Sequence, residues 1–138
     1  MVNTLDMRDL RYLNLFEKIT GVRTRYCFEY NNAIIFSVPK NLIPKCLGPD
    51  ARNIRKMSEI LRKRIKVIPL PRNINDTRTF IEAVVSPVTF KGIDISSNEI
   101  ILTAGIQSKA ALIGRNKRRF LEMQKIIKDF FQRDFRIV

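Results

Sequence analysis

The chain contains no histidine among its 138 residues and only two cysteines. It therefore lacks the commonest general base and the commonest metal ligand of enzymes. Cys27 and Cys46 are too widely separated to form a zinc-binding pair, and both lie among apolar residues, so we expect reduced cysteines buried in the core. No P-loop, nucleophile elbow or paired-carboxylate motif is present. These absences predict a protein that is not an enzyme and that uses no cofactor or metal.

Long apolar segments are also absent from the sequence. No run approaches the roughly 18–20 residues that a membrane-spanning helix requires. The first ten residues, MVNTLDMRDL, include two acids and no apolar centre, so we expect no secretory signal peptide. Because no amphipathic or lipid-anchoring motif is recognisable either, the sequence predicts a cytoplasmic protein that does not bind membranes.

Acidic residues are scarce relative to basic ones: 13 Asp and Glu stand against 26 Lys and Arg, which gives a formal net charge of +13. The composition is otherwise that of an ordinary globular protein, with 45% hydrophobic and 28% charged residues. Excess charge of one sign costs self-repulsion in the folded state and usually serves a partner of opposite charge. The charge balance therefore favours a polyanionic partner, with nucleic acid as the first candidate.

The sequence contains a repeat with an offset of 66 residues. Without a gap, Asn32–Ser37 aligns with Asn98–Thr103, and Leu47-Gly48 aligns with Ile113-Gly114. The same register pairs Arg52 with Arg118, Met57 with Met123, and Ile60 with Ile126. Because one register links apolar, turn and basic positions, it predicts two copies of one fold unit. We place the first domain at residues 1–70 and the second at residues 71–138.

Each copy is predicted to contain, in order, a helix, two strands, a short helix, a turn, a longer helix and a last strand. The first helices end at Gly21 and Pro87. The predicted strands are residues 25–30, 34–36 and 65–68 in copy one, and 88–94, 100–102 and 135–138 in copy two. The apolar stripe of the longer helix is expected to face the core and consists of Ile54, Met57, Ile60 and Leu61 in copy one and Phe120, Met123, Ile126 and Ile127 in copy two.

This order of elements indicates an α+β fold in which each copy has a three-stranded sheet packed on helices. Asn31-Asn32 and Ser97-Asn98 supply the turns between the first two strands. The linker, Pro69–Asn73, is short and contains two prolines, so we expect the copies to pack together as one rigid unit.

The basic residues concentrate after the glycine that precedes the longer helix of each copy. Seven basic residues and one acid lie between Arg52 and Lys66, and the same numbers lie between Lys109 and Lys128. The free N–H groups and positive dipole end of a helix start can hold a phosphate, and glycine lets the backbone approach it closely. Cations at a helix start oppose the dipole, and such local conflicts are typical of functional sites.

The element order resembles the prokaryotic type of KH domain, type II, and two segments resemble its signature, I-G-x-x-G-x-x-I. These are Leu47–Ile54, with the sequence LGPDARNI, and Ile113–Phe120, with the sequence IGRNKRRF. A short chain of two such domains is similar to the archaeal NusA-like transcription termination factors. The resemblance implies binding of single-stranded RNA, with the GxxG turn clamping the backbone of about four nucleotides. The sequence leaves the oligomeric state open, and we expect a monomer by default. It also implies a role beside RNA polymerase in termination or antitermination.

Both copies depart from the signature at the second glycine, where Ala51 and Lys117 stand. In copy one Pro49 has no N–H to donate and Asp50 repels phosphate, so we expect copy two to hold the RNA backbone more firmly. The expected RNA-binding residues are Gly48, Ala51, Arg52, Arg55 and Lys56 in copy one and Gly114, Arg115, Asn116, Lys117, Arg118 and Arg119 in copy two. Base preference is expected from the adjacent groove, near Ile54, Phe120 and the strand edges.

Three other functions remain open at this point. The lost second glycines are compatible with a KH-like scaffold that binds proteins and has weak or no RNA binding. A metal-dependent nuclease would have to use scattered acids such as Asp94 and Glu99. A helix-turn-helix that binds duplex DNA is conceivable at the basic turn, although the flanking strands and the repeat argue against it.

Overall fold

A computed structural model describes residues 7–138. The predicted absence of a signal peptide rests partly on residues 1–6, which lie outside the described residues. The chain divides into two compact units, of which the first ends at Arg72 and the second covers Asn73–Val138. Within residues 7–138, no helix has the length and apolar character needed to cross a lipid bilayer.

The first unit contains three helices and a mixed three-stranded sheet. Its elements are α1 (Met7–Thr20), β1 (Tyr26–Tyr30), β2 (Ala33–Val38), α2 (Ile43–Leu47), α3 (Arg52–Leu61) and β3 (Arg64–Pro69). The strand order is β1-β2-β3, with β2 antiparallel to β1 and parallel to β3. Asn31 and Asn32 both adopt left-handed conformations and form the tight turn of the β1–β2 hairpin, as predicted.

The second unit repeats this architecture. Its elements are α4 (Thr77–Val85), β4 (Gly92–Ile95), β5 (Glu99–Thr103), α5 (Ile106–Ile113), α6 (Arg118–Phe131) and β6 (Asp134–Ile137). The order β4-β5-β6 and the strand directions match those of the first sheet. The predicted α+β class is therefore confirmed, and two three-stranded sheets packed against helices are consistent with two tandem KH-like domains.

The core of the first unit forms where α1 and the sheet meet. Helical spacing places Leu13 and Phe16 on one face of α1, and Phe16 stacks on Phe36 of β2 with ring centroids 4.3 Å apart. Cys27 and Cys46 are 3% and 0% exposed and form no disulfide, which confirms their predicted place in the core. Burial raises the pKa of the Cys46 thiol, against the opposing effect of Lys45, so the thiol stays protonated and unreactive.

The core of the second unit is built around Phe80 of α4. Its ring lies 4.7 Å from that of Phe130 and 5.7 Å from that of Phe131, both in the last turn of α6. Helix α6 has 14 residues where α3 has 10. Equivalent residues after these helices are therefore four positions further apart than equivalent residues before them. The parallel strand pairs show this, because the first pair is Ala33–Arg64 in the first unit and Glu99–Asp134 in the second.

Most predicted strand ends differ from the observed ones by one or two residues, and the start of β4 differs by four. The strand predicted at 88–94 begins only at Gly92, because its partner β5 ends at Thr103, whose carbonyl already accepts the Lys91 N–H. The predicted linker begins too early, because Pro69 is the last residue of β3 and the Leu70 N–H donates to the Val38 carbonyl at 2.8 Å. Only the end of that segment, at Arg72 and Asn73, lies at the division between the units.

The predicted apolar stripe is correct in α6 and wrong at one position in α3. Ile60 is 52% exposed, whereas the equivalent Ile126 is 3% exposed. Helix α3 ends one residue after Ile60, so no further turn encloses that side chain. Helix α6 continues for five residues beyond Ile126, and Phe130, one turn later on the same face, is buried as well.

This contrast gives a prediction for two substitutions at one repeat position. Ile126→Ala should lower the free energy of unfolding by about 2–5 kcal/mol, because it leaves a cavity in a packed core. Ile60→Ala should cost less than about 1 kcal/mol, because half of that side chain already contacts solvent. Chemical denaturation followed by circular dichroism measures both, and equal losses would contradict the described difference in burial.

Candidate nucleic-acid interface

The turns between α2 and α3 and between α5 and α6 have the same backbone, although their sequences differ. Gly48 and Gly114 have φ of 73° and 77° with extended ψ of 176° and 170°. The third and fourth residues of each turn are left-handed, with φ between 53° and 59°. The amide of the fourth residue then donates to the glycine carbonyl, at 3.2 Å in both units. The two copies therefore share one turn geometry.

The first glycine of each turn is required by conformation and by space. A left-handed φ disfavours any residue with a Cβ. A Cβ on Gly48 would lie 2.9 Å from Nδ2 of Asn53, and one on Gly114 would lie 2.9 Å from Cγ and 3.1 Å from the backbone nitrogen of Arg119. At Gly48 the Asn53 side chain would have to move, whereas at Gly114 the contacts include the backbone of α6 itself, which would have to shift.

The second glycine of the signature is absent from the sequence, but its conformation is present. Ala51 and Lys117 have φ of 56° and 59° and occupy the left-handed region themselves. For residues with a Cβ this conformation costs roughly 1–2 kcal/mol, a strain that proteins retain mainly where the surroundings fix it. Lys117 therefore places a positive charge on the turn at some expense of stability.

Exposed cations surround both turns. In the second unit Arg115, Lys117 and Arg118 are exposed, and none of them forms an ion pair with another described residue. In the first unit the same is true of the α3 cations, Arg52, Arg55 and Lys56. Unpaired cations keep their full charge for an external anion, and guanidinium groups match phosphate geometry especially well.

The two turns differ in the groups that they present. The first has Pro49, which lacks an N–H, and Asp50, whose exposed carboxylate repels anions. The corresponding residues of the second turn, Arg115 and Asn116, are both exposed and can both donate hydrogen bonds. With equal backbone geometry, the second turn presents more hydrogen-bond donors and more positive charge than the first.

Arg119 does not point outward with its basic neighbours. It is half-buried, and its Nη1 donates to the backbone carbonyl of Ala111 at 2.8 Å. Of the residues predicted for RNA binding in the second unit, the structure thus brings Gly114 and the four that follow it together on one exposed turn. It places the Arg119 guanidinium at the end of the preceding helix instead.

A shallow cleft lies between α6 and the start of β6 in the second unit. It has a volume of about 390 Å³ and is lined by Leu121, Gln124, Lys125, Lys128, Arg133, Asp134 and Phe135. Phe120, the residue expected in the groove, is not among them, and its ring lies 6.0 Å from that of Phe135. In the first unit Ile54 packs against the core.

Sequence reasoning missed most of these cleft residues. Leu121 is 56% exposed and lies off the buried stripe of α6. An exposed leucine with lysines four and seven residues later is the signal that could have identified this helix face. On the same helix, burial raises the pKa of Asp129, while Lys125 opposes the shift.

Residues 7–138, which the structure describes, contain no group of three or more histidine, cysteine or acidic side chains able to hold a metal ion.

In the first unit, burial lowers the pKa of Lys66, and the nearby Arg64 lowers it further. The Lys66 amine is therefore less basic than that of a fully solvated lysine.

The chain is similar to known proteins in sequence and in fold. No protein-family model matches the chain. The chain is similar to the probable transcription termination protein NusA of Halococcus morrhuae, with 26% identity over 95 residues. That alignment covers 69% of this chain and 66% of the relative, just under two thirds of its length. A solved structure, the crystal structure of APE1850, has a TM-score of 0.66 and 22% identity, and the match covers 96% of this chain and 99% of that chain. At that identity the likeness concerns the fold.

The left-handed turns give a prediction for stability. Lys117→Gly and Ala51→Gly should each raise the free energy of unfolding by up to about 1 kcal/mol, because glycine adopts φ near 60° without strain. Arg118→Gly, one residue later in the regular part of α6, should lower it by about 1 kcal/mol. Thermal unfolding compares the three, and a loss of stability in both turn variants would show that these residues are not strained.

Proposed function

We propose that this protein binds single-stranded RNA and acts in transcription termination or antitermination, in contact with RNA polymerase. In this proposal both units are type II KH domains of a monomeric cytoplasmic protein, and the role is one of binding without catalysis. The observation that carries the proposal is the turn Gly114–Lys117, which combines a backbone open to close approach with exposed, unpaired cations.

The second turn is suited to a phosphodiester backbone. Gly114 lets the ligand approach the main chain, while Arg115 and Lys117 add charged donors beside it. Arg118 extends the cationic surface onto the first residue of α6. Contacts of this kind bind the backbone whatever its base sequence, and they position the strand.

The cleft between α6 and β6 offers a place for bases. Leu121 and Phe135 contribute apolar surface, Gln124 can both donate and accept hydrogen bonds, and the neighbouring lysines add charge. Unpaired bases are read by stacking and by hydrogen bonds to their edges, which a duplex does not offer in the same way. We therefore favour single-stranded RNA over duplex nucleic acid.

The role in transcription is supported by sequence similarity. The aligned relative carries the description of a probable transcription termination protein NusA, and its similarity extends over 69% of this chain. We extend that role, together with a contact to RNA polymerase, to this protein as part of the proposal.

A second candidate function is a scaffold that binds proteins. It is favoured by one observation, the first turn, where Pro49 and Asp50 replace the groups that would hold a phosphate. Under this alternative the positive surface would meet an acidic protein and RNA would bind weakly.

Charge reversal at the second turn tests the proposal. Lys117→Glu with Arg118→Glu should weaken binding of a single-stranded RNA by at least about tenfold near 0.1 M salt, since two phosphate contacts are lost. Each lost contact should make the slope of log affinity against log salt shallower by about 0.7. Fluorescence anisotropy at several salt concentrations measures both effects.

A matched control separates local contacts from overall charge. Arg11→Glu with Lys18→Glu alters two exposed positions of α1 and lowers the net charge by the same four units, from +13 to +9. It should change RNA affinity far less than the turn variant. Equal effects of the two double variants would remove the second turn as the RNA-binding site, and no RNA binding by the wild type would leave the scaffold function.

The first turn supplies a prediction in the opposite direction. Asp50→Lys should strengthen RNA binding severalfold, because a repelling carboxylate becomes an attractive cation. Asp50→Asn, which copies Asn116 of the second turn, should give a smaller gain. The same anisotropy titration compares them, and an unchanged affinity in both would mean that the first turn does not contact RNA.

A further inference from the structure

The end of α5 has a carbonyl group that the helix itself cannot satisfy. The Ala110 carbonyl accepts the N–H of Gly114 at 2.9 Å, which is the last backbone bond of the helix. At Gly114 the chain leaves the helical path, so the next carbonyl, that of Ala111, loses its usual backbone donor. It accepts the Nη1 of Arg119 instead, at 2.8 Å.

The same connection occurs in the first unit with a different side chain. There the Pro44 carbonyl accepts the N–H of Gly48 at 3.1 Å, and the Lys45 carbonyl accepts the Nδ2 of Asn53 at 3.3 Å. Asn53 and Arg119 are both the second residue of the helix that follows the turn. The two donors, Asn53 and Arg119, are 66 residues apart, and so are the two residues whose carbonyls accept the bonds. One donor side chain is neutral and the other is charged.

We infer that Arg119 and Asn53 are positioning residues, which connect the following helix to the end of the preceding one and thereby fix the shape of the turn. The inference rests on the proposed function only in that the fixed turn is the one proposed to hold RNA. Arg119 then differs in role from Arg118, which remains exposed and faces the ligand.

Electrostatics and packing both support this role for Arg119. A cation in the first turn of α6 is unfavourable there, but its guanidinium lies at the carboxyl end of α5, where a positive charge and an extra donor are favourable. Its side-chain carbons lie so close to Gly114 that a Cβ at this glycine would be 2.9 Å from Cγ and 3.1 Å from Cβ of Arg119. The side chain therefore covers one side of the turn.

The consequence concerns the cost of binding. A turn that is fixed before RNA arrives loses little conformational freedom on binding, so its contacts contribute more fully to affinity. Loss of the Arg119 bond should therefore weaken RNA binding without removing any phosphate contact. A residue that touches phosphate should instead change the salt dependence when it is removed.

Amide hydrogen exchange tests the positioning role without RNA. In Arg119→Ala, exchange of the Gly114 and Lys117 amides should accelerate by about tenfold, the size expected when one charge-assisted hydrogen bond is lost. In Arg119→Asn, which restores the side chain of the first unit, it should stay within about threefold of the wild type. Arg118→Ala is the control and should leave both amides unchanged. Wild-type exchange rates in Arg119→Ala would overturn the inference, whether or not the protein binds RNA.

Titration with a single-stranded RNA separates the two roles further. Arg119→Ala should weaken binding severalfold with an unchanged salt slope, and Arg119→Asn should recover most of the affinity. Arg118→Ala should weaken binding with a slope shallower by about 0.7. If Arg119→Asn and Arg119→Ala lose affinity equally and both show the shallower slope, Arg119 contacts phosphate and is not a positioning residue. If the wild type binds no RNA, the proposed function fails, while the exchange rates still decide the role of Arg119.

Discussion

The candidate site of each unit depends on how the chain turns at one glycine between two helices. At Gly48 and Gly114 the backbone takes a conformation that side chains disfavour, and a Cβ there would lie 2.9 Å from a side-chain atom of the following helix. This change of direction ends the short helix, starts the longer one and leaves an exposed turn between them. The basic residues of the turn and the side-chain hydrogen bonds across it take their positions from this change of direction.

The sequence was sufficient for the parts of the fold that depend on periodicity and repetition. The order of elements and the buried stripe of α6 follow from the spacing of apolar residues, which burial enforces strongly. The glycine turns follow from the repeat. The boundaries of β4 and of the linker did not follow, because a strand ends where its pairing ends, and pairing is a property of the folded sheet. At the linker the pairing partner, Val38, is also distant in sequence. Ile60 was misplaced for a related reason, since its exposure depends on how far the helix continues.

The candidate site was only partly predictable. The exposed cations Arg115, Lys117 and Arg118 could be identified because charge and helix position are properties of sequence. The direction of the Arg119 side chain could not, since it is set by a carbonyl eight residues earlier that only the folded turn brings within reach. The similarity between Asn53 and Arg119 is likewise invisible in their chemistry and becomes evident only from the bonds that they form.

The four-residue difference between α3 and α6 has a consequence for how the two copies could diverge. Four residues are close to one full helical turn of 3.6, so the added segment rotates the helix end by only about 40° and keeps the same face toward the sheet. The strand that follows can then pair in the same direction with the same neighbour. One copy of the repeated fold can therefore have a longer helix, by about one whole turn, and still keep the strand pairing of the other copy.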